Sequence, residues 1–127
     1  TALGYLTLAA QHRKENSAPP LTVLSCDNVQ ANGDKMARCV LEFAKIAAGP
    51  DLCEYIKAVW TFPNSMVDRI TPMTTDAHRA ALKDSHGVED AWPVVCEDFI
   101  QWVVEDNFPA GRPPWEKVLG GTCLMVE

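Results

Sequence analysis

Residues 21–34 read LTVLSCDNVQANGD, and the other segments of the chain can be assigned relative to this stretch. Its first four residues are apolar or β-branched and follow two prolines, which predicts a short strand that is buried on both faces. The polar residues 25–28 (SCDN) end the strand, and an amphipathic helix begins a few residues later. Ligands bind at the carboxyl ends of the parallel strands in an open α/β sheet. The stretch therefore predicts a strand whose polar end contributes to a binding site, although its position alone does not identify the ligand.

Helices are predicted on both sides of this strand. Residues 1–16 carry leucines and alanines in a helical pattern and end in basic residues, which favour the negative end of a helix dipole. After the strand, Asn32 is expected to be the N-cap of a second helix, with Asp34 in its first turn. Gly49-Pro50 ends that helix, and Asp51 is expected to cap a shorter one. Helix, short break and buried strand form half of a βαβ unit, so the sequence predicts an α/β fold.

The first residues lead us to expect an internal fragment of a longer protein. Thr1 falls inside the first helical pattern, and the strand that would complete the βαβ unit would lie before it. A sheet that is cut in this way has unpaired strand edges and open apolar faces. We therefore expect the isolated chain to self-associate or to depend on neighbouring segments.

The second half of the chain mixes loops with short elements. Residues 60–72 (WTFPNSMVDRITP) combine β-forming residues with two prolines, which predicts a short strand that ends in a loop. Thr74 or Thr75 can cap a polar helix that reaches about Asp84. Further strands are predicted over residues 93–97 and 99–106 and within residues 115–127.

The composition is that of an ordinary globular chain of 127 residues, 47% of them hydrophobic and 22% charged. The net charge of -6 argues against a nucleic-acid surface, which is normally basic. No apolar run approaches the ~20 residues that cross a bilayer, so a membrane partner is not expected either. Five scattered cysteines indicate reduced intracellular thiols, so we expect a cytoplasmic protein.

Motifs for phosphate or metal binding are absent from the sequence. Neither GxGxxG nor GxxxxGK[ST] occurs, so a phosphate-binding loop is not expected within these residues. CxxC, HExxH and HxE are missing too, so no metal site is expected. Cys26 could be a thiol nucleophile, but without a histidine signal beside it a packed and inert cysteine is the stronger interpretation.

Three long segments in series resemble one enzyme family. They lie within residues 23–33, 61–72 and 92–113, and they carry VLSCDN with NG, TFPNSMVDRITP, and WPVVCE with QWVVED and GRP. Together and in this order they resemble the polyol-specific long-chain dehydrogenases, a family that includes mannitol 2-dehydrogenase and fructuronate reductase. The WPVVCE segment at residues 92–97 is more similar to the mannitol 2-dehydrogenase version.

The resemblance covers the chain from Thr1 to about Lys117 and implies a much longer parent enzyme. Members have an N-terminal NAD-binding domain of extended Rossmann type and a mostly helical C-terminal domain. Residues 1–127 are then expected to be the later strands and helices of the first domain, truncated at both ends, without the glycine-rich loop and the helical substrate domain. Members interconvert a secondary alcohol of an acyclic polyol and a ketose without a metal. Their general base is a lysine in a K-x-x-x-x-N-x-x-H motif that is absent here, so this chain alone is expected to be inactive.

The resemblance also implies three site residues. Asn28 matches the family's strand-end asparagine, which hydrogen-bonds the reacting oxygen, and a neutral amide can donate to developing negative charge. The alternative is that Asn28 only caps a turn. Val67 and Asp68 match the loop near the nicotinamide of the cofactor, although Asp68 could instead pair with Arg69 or cap Thr71.

The neighbouring polar residues are expected to have structural roles. Asp27 and Arg69 would tie the ends of the loops together, and Asn64 and Ser65 would form turns. The expected catalytic residue is therefore Asn28, and the expected cofactor-binding residues are Val67 and Asp68.

Several functions remain open on the sequence alone. The first is a fragment of an NAD-dependent enzyme that converts a mannitol-like polyol to a fructose-like ketose, with fructuronate reductase activity as a variant and NADP not excluded. The second is a non-catalytic interaction or scaffold domain derived from such an enzyme. The third is a subunit that separate chains complete. The expected partners are a polyol or ketose and the remainder of the parent polypeptide.

Overall fold

The structure, a computed structural model, describes residues 1–118 and 123–126. The chain divides into two units, of which the first comprises Thr1–Val67 with Gln101–Glu127 and the second comprises Asp68–Ile100. The elements in chain order are α1 (Ala2–Glu15), β1 (Leu21–Thr22), α2 (Asn32–Ala48), α3 (Pro50–Val59), β2 (Trp60–Thr61), β3 (Ser65–Met66), α4 (Asp76–His86), β4 (Trp102–Glu105), α5 (Trp115–Val118) and β5 (Cys123–Val126). None of the described helices combines the length and the apolar character needed to cross a membrane.

Three helices, α1, α2 and α3, build the core of the first unit. Their buried apolar residues, with the first residue of β2, are Ala10, Val40, Ala44, Leu52, Cys53, Ile56 and Trp60. Val40 and Ile56 are fully buried, each on the apolar face that the helical spacing predicts. Burial of an aliphatic side chain of this size contributes about 1.5–3 kcal/mol. The packed helices therefore provide a stable support for the short strands beside them.

The strands β1 and β2 form a parallel pair. Leu21 lies opposite Trp60, and Thr22 lies opposite Thr61. The two threonine hydroxyl oxygens are 2.9 Å apart, and Val23 N donates to Thr61 O at 2.9 Å. The helices α2 and α3 lie between the two strands in sequence, as parallel pairing requires. The carboxyl ends of both strands consequently lie at one edge of the sheet.

The first strand is shorter and more exposed than the sequence predicts. Ladder pairing covers Leu21–Thr22 only, and residues 21–24 are half-buried instead of buried on both faces. Among the described residues, β1 has one neighbouring strand, β2, so less of its surface is covered than in the middle of a sheet. The expectation that Cys26 is packed is also wrong, because this residue is exposed.

A second sheet in the first unit contains β3, β4 and β5. The β3–β4 pair is antiparallel, and the β4–β5 pair is parallel. These strands confirm the predictions within residues 60–72, 99–106 and 115–127. The strand predicted over residues 93–97 is wrong, because these residues form a loop in which Val94 is 70% exposed. β-Branched residues favour a strand only where a neighbouring strand and a packed face are available.

The starts of three helices test the capping predictions. Thr75 caps α4, as predicted, by accepting a hydrogen bond from a backbone N–H of the first turn. Thr1 lies just before α1 and caps it, with Oγ1 accepting from Gly4 N at 3.2 Å, so it does not lie inside the helix. Asp51 is not the cap of α3, because that position is Gly49 and Asp51 lies in the first turn. Negative charge in the first turn is favourable without forming a cap.

The cap of α2 also differs from the prediction. The capping position is Ala31, in the left-handed conformation with φ 53°, and an alanine side chain cannot accept a hydrogen bond. The N–H groups of Gly33 and Asp34 donate instead to Oδ1 of Asn64, at 2.8 and 3.2 Å. Asn32 is therefore not the N-cap, and a residue from the segment between β2 and β3 satisfies the start of the helix.

The second unit consists of α4 and its flanking loops. Thr74 Oγ1 donates to Pro93 O at 2.9 Å, and Arg79 Nη1 donates to Ala91 O at 3.3 Å. No residue of α4 is buried. The unit also exposes several large apolar side chains, among them Ile70, Met73, Val94, Trp92 and Ile100.

Candidate functional site

The segment that follows β1 forms a hydrogen-bonded turn before α2. Ser25 is 5% exposed, and its Oγ accepts from Asp27 N at 3.3 Å. The carbonyl oxygen of Asp27 accepts from Val29 N at 2.9 Å. Asn28 lies between these bonded residues and is exposed. The turn is therefore anchored at Ser25 and open to solvent over residues 26–31.

A cavity of about 260 Å³ is formed by this turn and β3. Its lining residues are Asp27, Asn28, Val29, Gln30 and Ala31 from the turn and Ser65, Met66 and Val67 from the second wall. Two of the three predicted site residues, Asn28 and Val67, thus line one cavity next to the carboxyl end of β1. An amide group on one wall can donate a hydrogen bond to an oxygen atom, and the valines and Met66 offer apolar surface to a ring.

Asn32 joins the two walls of this cavity. Its side chain is buried, with the residue 2% exposed, and Nδ2 lies 3.2 Å from Ser25 O and 3.1 Å from Asp27 O. On the other wall, Nδ2 lies 3.0 Å from Ser65 O and 3.3 Å from Ser65 Oγ, and Oδ1 accepts from Ser65 N at 2.9 Å. Nothing in the local sequence relates Asn32 to Ser65, so this bridge could not be predicted from the sequence.

Asn64 and Ser65 do not have the simple turn-forming roles that the sequence predicts. Ser65 belongs to β3, and its hydroxyl donates to Ser25 O at 2.9 Å. Asn64 N donates to Oε2 of Glu105 at 2.7 Å, and Asn64 Nδ2 donates to Oε1 at 3.0 Å. Since Asn64 also caps α2, one residue connects a helix, the second cavity wall and β4.

Asp68 is the first residue of the second unit. It is exposed and adopts a left-handed backbone with φ 83°, and its Oδ1 accepts from Arg69 N at 2.8 Å. A non-glycine residue in this conformation costs about 1–2 kcal/mol, and such strain is concentrated at functional sites. The local contact with Arg69, one of the alternatives from the sequence, is present as a bond to the backbone. The cofactor-binding role of Asp68 stays a prediction.

Two further expected structural residues can be located. The Arg69 guanidinium donates from Nη1 to Glu97 O at 3.1 Å and lies 3.4 Å from Cys96 Sγ, so this residue does connect loop segments of the second unit. Asp27 contributes to the turn of the first unit through its backbone carbonyl. Within the part of the chain that the structure describes, no three His, Cys, Asp or Glu side chains are grouped so that they could hold a metal ion.

A sequence model of the mannitol dehydrogenase Rossmann domain matches residues 1–117. Mannitol 2-dehydrogenase of Pyrenophora tritici-repentis is 50% identical over 117 residues, which cover 92% of this chain and 21% of that protein. The Aspergillus oryzae mannitol 2-dehydrogenase is 46% identical over 118 residues, 93% of this chain and 23% of that protein. This chain therefore spans between a fifth and a quarter of the length of these relatives.

Two solved structures share the fold. One is the Pseudomonas fluorescens mannitol 2-dehydrogenase in a ternary complex with NAD and D-mannitol, with a TM-score of 0.71, 48% identity and coverage of 100% of this chain and 25% of that one. The other is a D-sorbitol dehydrogenase in substrate-free form, with a TM-score of 0.71, 41% identity and coverage of 99% and 25%. The predicted Rossmann-type fold and the resemblance seen in the sequence are thereby confirmed. Because the family match extends from residue 1 to residue 117, the chain belongs to the family of mannitol dehydrogenase Rossmann domains.

Proposed function

We propose that this chain is the later part of the N-terminal Rossmann-type domain of an NAD-dependent polyol dehydrogenase. The enzyme oxidises a secondary alcohol of an acyclic, mannitol-like polyol to a fructose-like ketose by hydride transfer. The glycine-rich loop and a helical substrate domain belong to other parts of the polypeptide. The observation that carries this proposal is that Asn28 and Val67, matched independently to two family motifs, line one cavity.

The cavity suits the nicotinamide end of the cofactor and the reacting carbon of the polyol. Pockets that enclose whole drug-sized ligands have volumes of about 300–1,000 Å³. A cavity of about 260 Å³ is smaller, so residues 27–31 and 65–67 would bind only part of a dinucleotide. Val67 and Met66 offer apolar contact to a ring, and polar groups of the turn can orient it. NAD bound there would supply the acceptor for the hydride that leaves the alcohol carbon.

Asn28 is proposed to bind the reacting oxygen of the polyol. Its amide N–H donates a hydrogen bond that strengthens as the hydroxyl loses its proton and the oxygen gains negative charge. An amide does not titrate near neutral pH, so the donor stays available over the working range. We propose that the base that removes the proton is a lysine of the helical domain. We also propose that the reaction needs no metal, as the family resemblance implies. Because this base lies elsewhere, we expect no turnover from the 127-residue chain alone.

Asp68 and Val67 are proposed to contact the nicotinamide side of the cofactor. Val67 contributes packing surface, and the carboxylate of Asp68 is oriented by the Arg69 N–H. We propose NAD as the cofactor because the solved structure of one relative is a complex with NAD. A cytoplasmic location is part of the same proposal and rests on the five scattered cysteines.

The test of this function is Asn28→Ala in the full-length enzyme. Loss of one donor to a developing oxyanion typically lowers kcat by about 10²–10³-fold. We expect a decrease of this size in NAD-dependent mannitol oxidation with little effect on the melting temperature, because Asn28 is exposed. The matched control is Gln101→Ala, which removes an exposed amide that does not line the cavity and should leave kcat unchanged. An Asn28→Ala enzyme with wild-type kcat would show that this amide only forms a turn and would refute the proposed site.

A further inference from the structure

Asn32 is the most thoroughly bonded buried polar side chain near the cavity. A side-chain amide has two N–H donors and one carbonyl acceptor. In Asn32 the two donors are shared among four oxygen atoms of Ser25, Asp27 and Ser65, and the carbonyl accepts from Ser65 N. Both the nitrogen and the oxygen of the amide are therefore hydrogen-bonded, and the amide contacts both walls of the cavity at once.

The backbone around Asn32 is also fixed in place. Asn32 is the first residue of the long helix α2, and the next residue is Gly33. A Cβ atom on Gly33 would lie 2.3 Å from Phe62 O and 2.5 Å from Pro63 O, so only glycine allows the helix to approach this segment so closely. With Asn64 bonded to the N–H of Gly33, the start of α2 has little freedom to shift.

The residues that Asn32 binds are those that determine the separation of the cavity walls. The carbonyls of Ser25 and Asp27 belong to the turn and lie three residues and one residue before Asn28. Ser65 precedes Val67 by two residues on the opposite wall. A change at Asn32 would therefore alter the position of Asn28 relative to Val67 without removing either side chain.

We infer that Asn32 is the positioning residue of the reaction: its buried amide fixes the Asn28 donor at the distance from the Val67 wall that hydride transfer requires. This inference rests on the function proposed above. A displacement of about 1 Å in a catalytic group can lower the rate by about 10²-fold. Asn32 is not among the residues that line the cavity, so it acts through the position of Asn28.

A second contact provides a graded test of the same bridge. Ser65 Oγ donates to Ser25 O at 2.9 Å and lies 3.3 Å from Asn32 Nδ2. Removing this hydroxyl in Ser65→Ala weakens the link between the walls but leaves the bonds between Asn32 and the Ser65 backbone. We expect a smaller loss of activity in Ser65→Ala than in Asn32→Ala, and Ser65→Ala also serves if Asn32→Ala does not fold.

The first measurement is steady-state kinetics of the full-length enzyme with NAD and D-mannitol. Asn32→Ala is expected to lower kcat by about 10–10²-fold while the KM for mannitol changes little, since the contacts that bind substrate remain. The matched control is Thr22→Val, which removes the half-buried Thr22–Thr61 hydrogen bond in the same unit. Thr22→Val should lower the melting temperature without changing kcat at a temperature well below unfolding.

The second measurement is a double-mutant cycle. If Asn32 acts through Asn28, the double variant Asn28→Ala/Asn32→Ala should have the same kcat as Asn28→Ala alone, because there is no donor left to misplace. If the two losses in kcat multiply instead, Asn32 acts independently and the inference is overturned. If Asn28→Ala alone has wild-type kcat, the proposed function fails, which is a different result.

The third measurement does not depend on activity. Hydrogen exchange of the backbone amides of residues 26–31 should be faster in Asn32→Ala than in wild type, with no cofactor present, because the turn loses two of its hydrogen bonds. The same amides should be unaffected in Thr22→Val. Unchanged exchange in Asn32→Ala, or a wild-type kcat in both Asn32→Ala and Ser65→Ala, would overturn the positioning role.

Discussion

Gly33 illustrates how a single missing methyl group permits the site to form. Backbone oxygens of Phe62 and Pro63 occupy the space in which any larger residue would place its Cβ atom. The contact brings the start of α2 to the segment between β2 and β3, where Asn64 can cap the helix. The close approach thus links the turn that carries Asn28 to the opposite wall.

We predict that Gly33→Ala destabilises the full-length protein by about 1–3 kcal/mol, the usual cost of inserting a methyl group into a packed region. The matched control is Gly4→Ala, another glycine in a helix, whose nearest neighbour to an added Cβ is Thr1 Oγ1 at 3.5 Å. Gly4→Ala should be neutral or stabilising by up to about 1 kcal/mol, because alanine favours a helix. Denaturant unfolding of both variants measures the difference, and equal effects would contradict the close approach.

The caps of two helices show where the sequence was sufficient to predict the structure and where it was not. Helix α4 could be predicted with its cap, because Thr75 and its partner lie within four residues of each other. The cap of α2 could not, since Asn64 is distant in sequence and Asn32 has the residue type of a local cap. Propensity describes what a residue prefers near its neighbours. It carries no information about a partner that only the folded chain brings near.

Ion pairs of Arg112 connect the helix α5 with the end of the strand β4. The Arg112 guanidinium bonds to Asp106 at 2.9 Å, just after β4, and to Glu116 in α5 at 2.8 Å. The hydrogen bond from Arg112 lowers the pKa of Asp106 below its ordinary value of 3.8. The pKa of Glu116 is lowered by its own backbone N–H and then by Arg112. Trp115 packs between Trp102 and Phe108 beside this group.

The lowered pKa values give a prediction with a definite sign. Each carboxylate contributes stability above its unfolded pKa, near 4, and the contribution is lost as the pH falls through the lower folded value. Arg112→Gln should therefore have a lower melting temperature than wild type at pH 7, and the difference should shrink below about pH 4. Thermal unfolding from pH 7 to pH 3 measures it. For Thr22→Val, which removes a bond between neutral hydroxyls, the difference should not depend on pH in this way.

The strands show a different limit of the sequence. The apolar run of residues 21–24 correctly predicted the strand β1. The predicted burial of this strand was too high, because burial depends on how many strands lie beside it. The valines of residues 93–97 suggested a strand, yet they lie in an exposed loop. Short apolar runs indicate a preference for a pleated surface, and the neighbouring segments determine whether that surface exists. The cavity forms only where β3 lies beside the turn that follows β1. It was consequently predictable only from the family resemblance.

At the level of the whole molecule, the second unit has little core of its own. It contains 33 positions between Asp68 and Ile100, and its single helix buries no residue. Large side chains such as Trp92 and Ile100 are 66% and 64% exposed. Exposed apolar surface, where it is contiguous, is characteristic of an interaction site or of a tendency to aggregate.

We predict that the isolated 127-residue chain binds more of the apolar dye ANS per molecule than the full-length enzyme does. The reason is that the exposed side chains of residues 68–100 would be covered in the longer protein. Fluorescence titration at equal molar concentration, with light scattering to detect self-association, measures both expectations. Equal dye binding by the two proteins would mean that this surface stays open in the enzyme.

The buried Asn32-Gly33 pair also has a consequence for chemical ageing. Asparagine followed by glycine is the dipeptide most prone to deamidation, in which the glycine nitrogen attacks the side-chain carbonyl and ammonia leaves. Here the Gly33 nitrogen donates to Asn64 and the Asn32 side chain is held inside the fold, so the attack is blocked while the protein stays folded. Unfolding removes this protection. Storage under conditions that transiently unfold the first unit should therefore convert Asn32 to aspartate or isoaspartate and prevent the inactivated enzyme from recovering.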